Sequence, residues 1–251
     1  LLDRHYAAER AQQPLVQDVV IVGSGYGGAM AAAQLSGLAD SEGRALSVCV
    51  LERGKEWVRG MFPSSMQEMP TQLRTHRADT DETSGDLQGL FDIRMGPDVT
   101  VVAANGLGGG SLINAGVMAT PSWGSFQHRM PASVVNALTP AYMDAVRQRL
   151  GASDANGHNT IARHPRAANG TRKTRVLEQM QDPSAGAAFS HAPITVEMTG
   201  GVNPDGVRMN ACTLCGDCMT GCNVGAKKSL DTNLFFFNDT ATTEIYTGAS
   251  V

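Results

Sequence analysis

Three glycines and one acid are the residues of this chain best placed to handle a ligand. Gly23, Gly25 and Gly28 stand in Gly23-Ser24-Gly25-Tyr26-Gly27-Gly28 at G-x-G-x-x-G spacing, and Glu52 follows at the end of the next apolar run. The first glycine allows a tight turn, the second lets backbone approach a pyrophosphate, and the third lets a helix pack closely on a strand. Ser24 lies inside the same turn. Amide N–H groups at the start of the helix that follows would face the phosphates. Glu52 would accept hydrogen bonds from a ribose diol and repel a 2′-phosphate. The chemistry implied is the holding of a dinucleotide; the plainer alternative is a glycine-rich turn with no ligand.

Such a turn needs a strand before it and a helix after it. Val19-Val20-Ile21-Val22 is an unbroken β-branched run of the kind a strand buried on both faces requires. Residues 29–38 are Ala-rich and helix-favouring, and a second apolar strand over 46–51 ends at Glu52. A further strand over 98–102 feeds a second glycine cluster, Gly106-Leu107-Gly108-Gly109-Gly110-Ser111-Leu112-Ile113-Asn114-Ala115-Gly116. Gly108, Gly109 and Gly110 remove every Cβ from a stretch of backbone, so a planar or anionic group can lie directly against it. Ser111 and Asn114 add polar groups at a spacing suited to one helical face. The alternative here is a turn that merely permits close strand–helix packing. Residues 53–98 read as a polar, mostly irregular excursion. Helices are expected over 140–150 and 171–181, and a strand over 192–198.

These motifs, together with Gly221-Cys222-Asn223-Val224-Gly225-Ala226-Lys227-Lys228-Ser229-Leu230-Asp231, resemble the glucose–methanol–choline family of FAD oxidoreductases, and most closely its bacterial cholesterol-oxidase-like branch. The resemblance implies the α/β class: a Rossmann-type FAD/NAD(P)-binding domain with an interleaved, incomplete substrate domain. On that pattern residues 15–118 are the FAD-binding part and 119–205 a partial substrate region. Residues 206–234 form a Cys-rich segment returning to the FAD domain, and 235–251 are a tail. Gly23, Gly25 and Gly28 would hold the pyrophosphate, and Glu52 the adenosine ribose. Gly108, Gly109, Gly110 and Ser111 would run along the pyrophosphate and isoalloxazine, with Asn114 near the flavin ring. Val251 falls where the family binds adenine with backbone. The implied activity is oxidation of a CH–OH group, in an alcohol or a sterol, by hydride transfer to FAD, with O2 or a redox protein as the electron acceptor.

Family members are much longer, and their catalytic histidine lies near the C-terminus. The chain therefore reads as an N-terminal fragment with no catalytic residue of its own, expected to show no alcohol turnover and to hold FAD weakly or not at all. Two other readings stay open: an iron–sulfur flavoprotein in electron transfer, and a non-catalytic truncated remnant.

Cys212, Cys215, Cys218 and Cys222 follow C-x2-C-x2-C-x3-C, the spacing of ferredoxin cluster ligands. A [4Fe-4S] cluster, zinc, and a packing role without metal are the alternatives. Asn223 stands where ferredoxins place proline, and no second cysteine run exists to complete a pair of clusters. The six histidines are scattered and read as solvated loop residues rather than bases.

Composition excludes some partners. A net charge of −4 leaves no electrostatic footprint for nucleic acid. No apolar run approaches the roughly 20 residues that span a bilayer. Clustered rather than dispersed cysteines favour a reducing cytoplasm, although the chain starts at Leu1 and export is not excluded. Residues 238–247 look like the in-frame translation of a sequencing-library adapter, so 235–244 at least read as a scar. Residues 245–251 would serve equally well as a strand.

Overall fold

The computed structural model describes residues 16–120, 128–167, 170–182, 184, 188–234 and 242–249. The chain divides into two compact units, residues 1–113 with 229–251, and residues 114–228. The Cys-rich segment up to Lys228 is thus grouped with the second unit.

The first unit contains strand β1 (Val19–Val22), helix α1 (Tyr26–Leu35) and strand β2 (Val48–Leu51). Strands β1 and β2 pair in parallel, Val19 opposite Val48. The strand Thr243–Tyr246 adds in parallel to the other edge of β2, Thr243 opposite Val48. With a strand on each side, β2 buries Val48, Cys49 and Val50. The expectation that β1 is buried on both faces is corrected: its burial alternates, and Val20 and Val22 are 54% and 68% exposed. Among the described residues strand β1 is an edge of this sheet, and only one of its faces is packed. Helix α1 begins and ends three residues before the expected 29–38, because Gly27 and Gly28 already lie in its first turn. It buries Ala29 and Ala32, whose small side chains permit a close approach to the sheet.

The excursion over 53–98 is not irregular. Strands β3 (Leu73–Arg77), β4 (Glu82–Gly85), β5 (Phe91–Met95) and β6 (Thr100–Ala104) form a mixed sheet in the order β4-β3-β5-β6. Strands β3 and β5 run parallel; the other two pairings are antiparallel. Leu73, Phe91 and Ala104 give the sheet an apolar contact with a core, and buried charge pairing adds to it. Asp92 of β5 is wholly buried and accepts from Arg53 (2.6 Å), Arg74 (2.5 Å) and Arg94 (3.1 Å). Beside this sheet sits a core of Trp57, Phe62, Leu90, Phe91 and Leu112, with the Trp57 and Phe62 rings stacked 5.6 Å apart.

In the second unit the expected helices appear as Pro140–Arg149 and Arg172–Gln179, capped by Thr139 and Thr171 respectively. The strand expected over 192–198 is absent. Ile194 and Val196 make only isolated bridges, to Val117 and Lys227, and the carboxamide of buried Asn159 occupies both of their carbonyls. A small core gathers Val196, Met198 and Ala226, with Cys212, Cys222 and Val224 packed against it. Among the described residues no helix is long and apolar enough to cross a membrane.

Candidate functional site

The glycine turn after β1 is shaped by three separate requirements. Gly23 has φ of 91°, a left-handed value that glycine tolerates, while its N–H continues the parallel ladder to the Leu51 carbonyl at 2.8 Å. Gly28 is needed for packing: a Cβ there would stand 2.0 Å from the Gly23 carbonyl oxygen. Around Gly23, Gly25 and Gly27, by contrast, nothing lies within 4 Å of where a Cβ would be. No side chain caps the start of α1. An open, side-chain-free turn leading into uncapped amides has the chemistry of an anion cradle.

The second glycine cluster divides its labour differently from the sequence expectation of three equivalent, ligand-facing glycines. Gly108 and Gly109 have φ of 101° and 52°. A Cβ on Gly109 would meet Gly25 Cα at 2.7 Å, and one on Gly108 would meet Ser111 Oγ at 3.2 Å and the Asp231 amide at 3.4 Å. These two glycines therefore let segments of the unit pack backbone to backbone. Only Gly110 faces open space. Ser111 is buried and committed internally: its Oγ donates to the Gly108 carbonyl at 2.7 Å and accepts from the Leu230 amide at 3.0 Å. Asn114 opens the second unit, where its Oδ1 accepts from the Gly116 amide at 3.1 Å and its carbonyl accepts from Lys227 Nζ at 3.0 Å. Val251 lies outside the described residues.

Glu52 is buried, at 7% exposure, and its carboxylate is largely spoken for. Oε2 accepts from the Ser24 amide at 2.9 Å and from Ser24 Oγ at 2.5 Å; Oε1 accepts from the Gly54 amide at 2.7 Å. Ser24 Oγ in turn accepts from the Gly108 amide at 3.0 Å. One acid thus clasps the first glycine turn and, through Ser24, the second. A carboxylate offers about four lone-pair positions, so one acceptor position remains for a ligand hydroxyl. The sequence pattern finds Glu52 but not this clasp, because nothing local announces that Ser24 bridges two turns.

Asp231 is the residue that sequence reasoning missed. It lies in the short turn Leu230–Thr232, against Gly108, and its Oδ1 is buried with no hydrogen-bond partner among the described residues. Burial pushes its carboxyl above the ordinary carboxylate range, against the pull of hydrogen bonds from the Ser229 side chain and from its own amide. Its sequence signal is its place at the end of the 221–231 segment that carries the family resemblance, and nothing there singles out the carboxylate as a ligand contact.

The four cysteines lie near enough to act on one another electrostatically, but they are not arranged as cluster ligands. Among the described residues no three His, Cys, Asp or Glu side chains are arranged to hold a metal ion. Cys212 Sγ accepts from the Leu214 amide at 3.3 Å, and Cys222 Sγ from the amides of Ala226 and Lys227 at 3.3 and 3.4 Å. Both pack against the Val196 core, whereas Cys215 is exposed. Burial raises the thiols of Cys212 and Cys218. His164 also departs from the expectation of a solvated loop residue. It is buried, with Nε2 2.8 Å from the Cys212 carbonyl and Nδ1 accepting from the Arg166 amide at 3.1 Å. Those two bonds require the neutral tautomer protonated on Nε2 and leave neither nitrogen for catalysis. A cavity of about 360 Å³ in the second unit is lined by charges that neutralise one another, Lys228 with Glu197 at 3.2 Å and Arg163 with Asp154 at 2.6 Å.

A parallel strand–helix–strand unit with two knitted glycine turns places the chain in the mixed α/β class. No protein-family model matches the chain. Over 91% of its length it is 28% identical to a cholesterol oxidase of Acinetobacter baumannii, and that alignment takes in 39% of the relative. It is 26% identical, again over 91%, to a cholesterol oxidase of Mycobacterium tuberculosis, of which 38% is covered. The chain thus spans about two fifths of the length of these curated relatives. The likeness relates it to the glucose–methanol–choline oxidoreductases. Among solved structures, a pyridoxine 4-oxidase from Mesorbium loti overlaps 93% of this chain and 42% of its own at 15% identity, with a TM-score of 0.40.

Proposed function

We propose that this chain is the dinucleotide-holding part of a FAD-dependent oxidoreductase acting on CH–OH groups, with an alcohol or sterol as substrate. The observation that carries the reading is the cradle of the first unit, in which open positions at Gly23, Gly25 and Gly110 adjoin uncapped helix amides. That arrangement fits a pyrophosphate, and the likeness to cholesterol oxidases, with the family resemblance of the motifs, supports FAD as the dinucleotide. FAD, when bound, supplies the redox chemistry; the chain supplies binding and orientation. Gly23, Gly25 and the first amides of α1 take the pyrophosphate. Glu52 offers its remaining lone pair to a ribose hydroxyl while fixing the turn. Asn114 and Val251 are assigned to the cofactor by the family resemblance alone.

No residue here is assigned the role of base toward the alcohol. The electron acceptor, O2 or a redox protein, and a cytoplasmic location belong to the same proposal. An iron–sulfur cluster is left out of the proposal, because among the described residues no three candidate ligands are arranged to hold a metal ion.

Fluorescence anisotropy of FAD titrated with the chain tests the reading. Weak but saturable binding, displaced by ADP and abolished by Gly25→Val, is the expected result. Failure to saturate at millimolar protein, or equal binding by Gly25→Val, would sink it.

A further inference from the structure

We infer that Asp231 is a binding residue of this same cradle, its Oδ1 accepting a hydrogen bond from a hydroxyl group of the bound dinucleotide. The inference rests on the FAD reading and adds a residue that neither the glycine pattern nor the terminal acid of β2 indicates. Two independent observations carry it.

The first is an unmade bond. Oδ1 of Asp231 is buried and has no partner among the described residues. Buried polar atoms in folded proteins are almost always satisfied, and an exception calls for a ligand or a function. Its neighbours within the turn are satisfied: Thr232 Oγ1 donates to the Ser229 carbonyl at 2.8 Å, and the Leu230 amide donates to Ser111 Oγ at 3.0 Å.

The second is position. The Leu230 amide bond ties the turn to the second glycine cluster, and the Asp231 amide lies 3.4 Å from where a Gly108 Cβ would be. That cluster is in turn packed on Gly25 through Gly109 and bonded to Ser24 through the Gly108 amide. Asp231 therefore belongs to the same backbone knot as the proposed pyrophosphate turn. Arg59 and Glu56, the charged groups that act on it from the neighbouring loop, oppose one another.

The chemistry the position asks for is an uncharged O–H donor. A phosphate oxygen has no proton to give and would be repelled by a carboxylate. Hydroxyls on FAD come from two sources, the ribityl chain and the adenosine ribose, and both present the same donor.

The test compares wild type, Asp231→Asn and Asp231→Leu in FAD titrations, with ADP as a second probe. Asparagine keeps an acceptor oxygen and should hold FAD within about threefold of wild type. Leucine removes it and should weaken FAD about tenfold or more, as for loss of a charged hydrogen bond. Parallel loss of ADP affinity places the hydroxyl on the adenosine ribose; retained ADP affinity places it on the ribityl chain. Should the leucine variant not fold, infrared difference spectra of FAD-bound minus free wild type must show a carboxyl band that is missing in Asp231→Asn. Equal FAD affinity in a folded Asp231→Leu, or no such band, overturns the assignment. Wild type failing to bind FAD at all would instead overturn the functional reading itself.

Discussion

Replacing Glu52 should unfold the glycine turns even with no ligand present. In Glu52→Ala the amides of Ser24 and Gly54 lose their acceptor, and Ser24 Oγ loses its 2.5 Å partner. Each buried N–H left unsatisfied costs about 1–3 kcal/mol, and a bond to a charged acceptor contributes at the upper end of the range. Some of this is regained by water entering the space left behind. A net loss of about 3–5 kcal/mol follows, a large share of the roughly 5–15 kcal/mol that a domain of ordinary stability possesses. Glu52→Gln should be milder, about 1–3 kcal/mol, because its oxygen still serves one side while its NH2 meets an N–H on the other. Urea unfolding of ligand-free protein carrying Trp123→Phe, followed by the fluorescence of Trp57, measures both. Trp57 is a suitable reporter because its indole N–H donates to the Asn105 carbonyl at 3.1 Å, beside the second glycine cluster. The reasoning fails if Glu52→Ala shifts the unfolding free energy by less than about 1 kcal/mol while FAD affinity falls. Glu52 would then be a ligand contact rather than a clasp.

Other sites give sharper single tests. Gly28→Ala drives a methyl to 2.0 Å from the Gly23 carbonyl oxygen and should abolish the βαβ unit, seen as lost helical circular dichroism; a native spectrum would mean that α1 can slide on β1. Burial raises the Asp92 carboxyl, but hydrogen bonds from Arg53, Arg74 and Arg94 outweigh it and hold it below the ordinary range. A depressed folded-state value stabilises fully above the unfolded carboxyl pKa of about 4, and that contribution disappears as pH falls through the folded value. Acid unfolding below about pH 4 should therefore be blunted in Asp92→Asn, relative to its lower starting stability, and an unchanged acid limb would remove Asp92 from the account. Metal analysis of anaerobically purified protein should find iron and zinc well below one per chain, with Cys215→Ser indistinguishable from wild type; stoichiometric iron with acid-labile sulfide would restore the cluster.

The sequence alone determines the βαβ unit, because its causes are local. A β-branched run makes β1, glycine spacing makes the turn, and alanines make a helix thin enough to lie on the sheet. The helices Pro140–Arg149 and Arg172–Gln179 are equally legible, each announced by a threonine cap and a suitable run. What only the tertiary structure decides are interactions between residues far apart in sequence. The mixed sheet of β3 to β6 depends on Asp92 collecting three arginines, one of them from the segment that follows β2. The clasp of Glu52 on Ser24 joins residues 28 positions apart, and that of Ser24 on Gly108 joins residues 84 apart. Thr243 and Glu244 read as part of a scar, yet they pair with Val48 and Cys49, since a β2 edge accepts any backbone that can adopt an extended form. In the opposite direction, residues 192–198 have a strand's alternation, yet they meet 116–118 and 226–228 through isolated bridges rather than a continuous ladder. Asp231 is the plainest case: its composition says nothing, and only the packing that buries Oδ1 beside the glycine turns turns an ordinary carboxyl into one that lacks a partner.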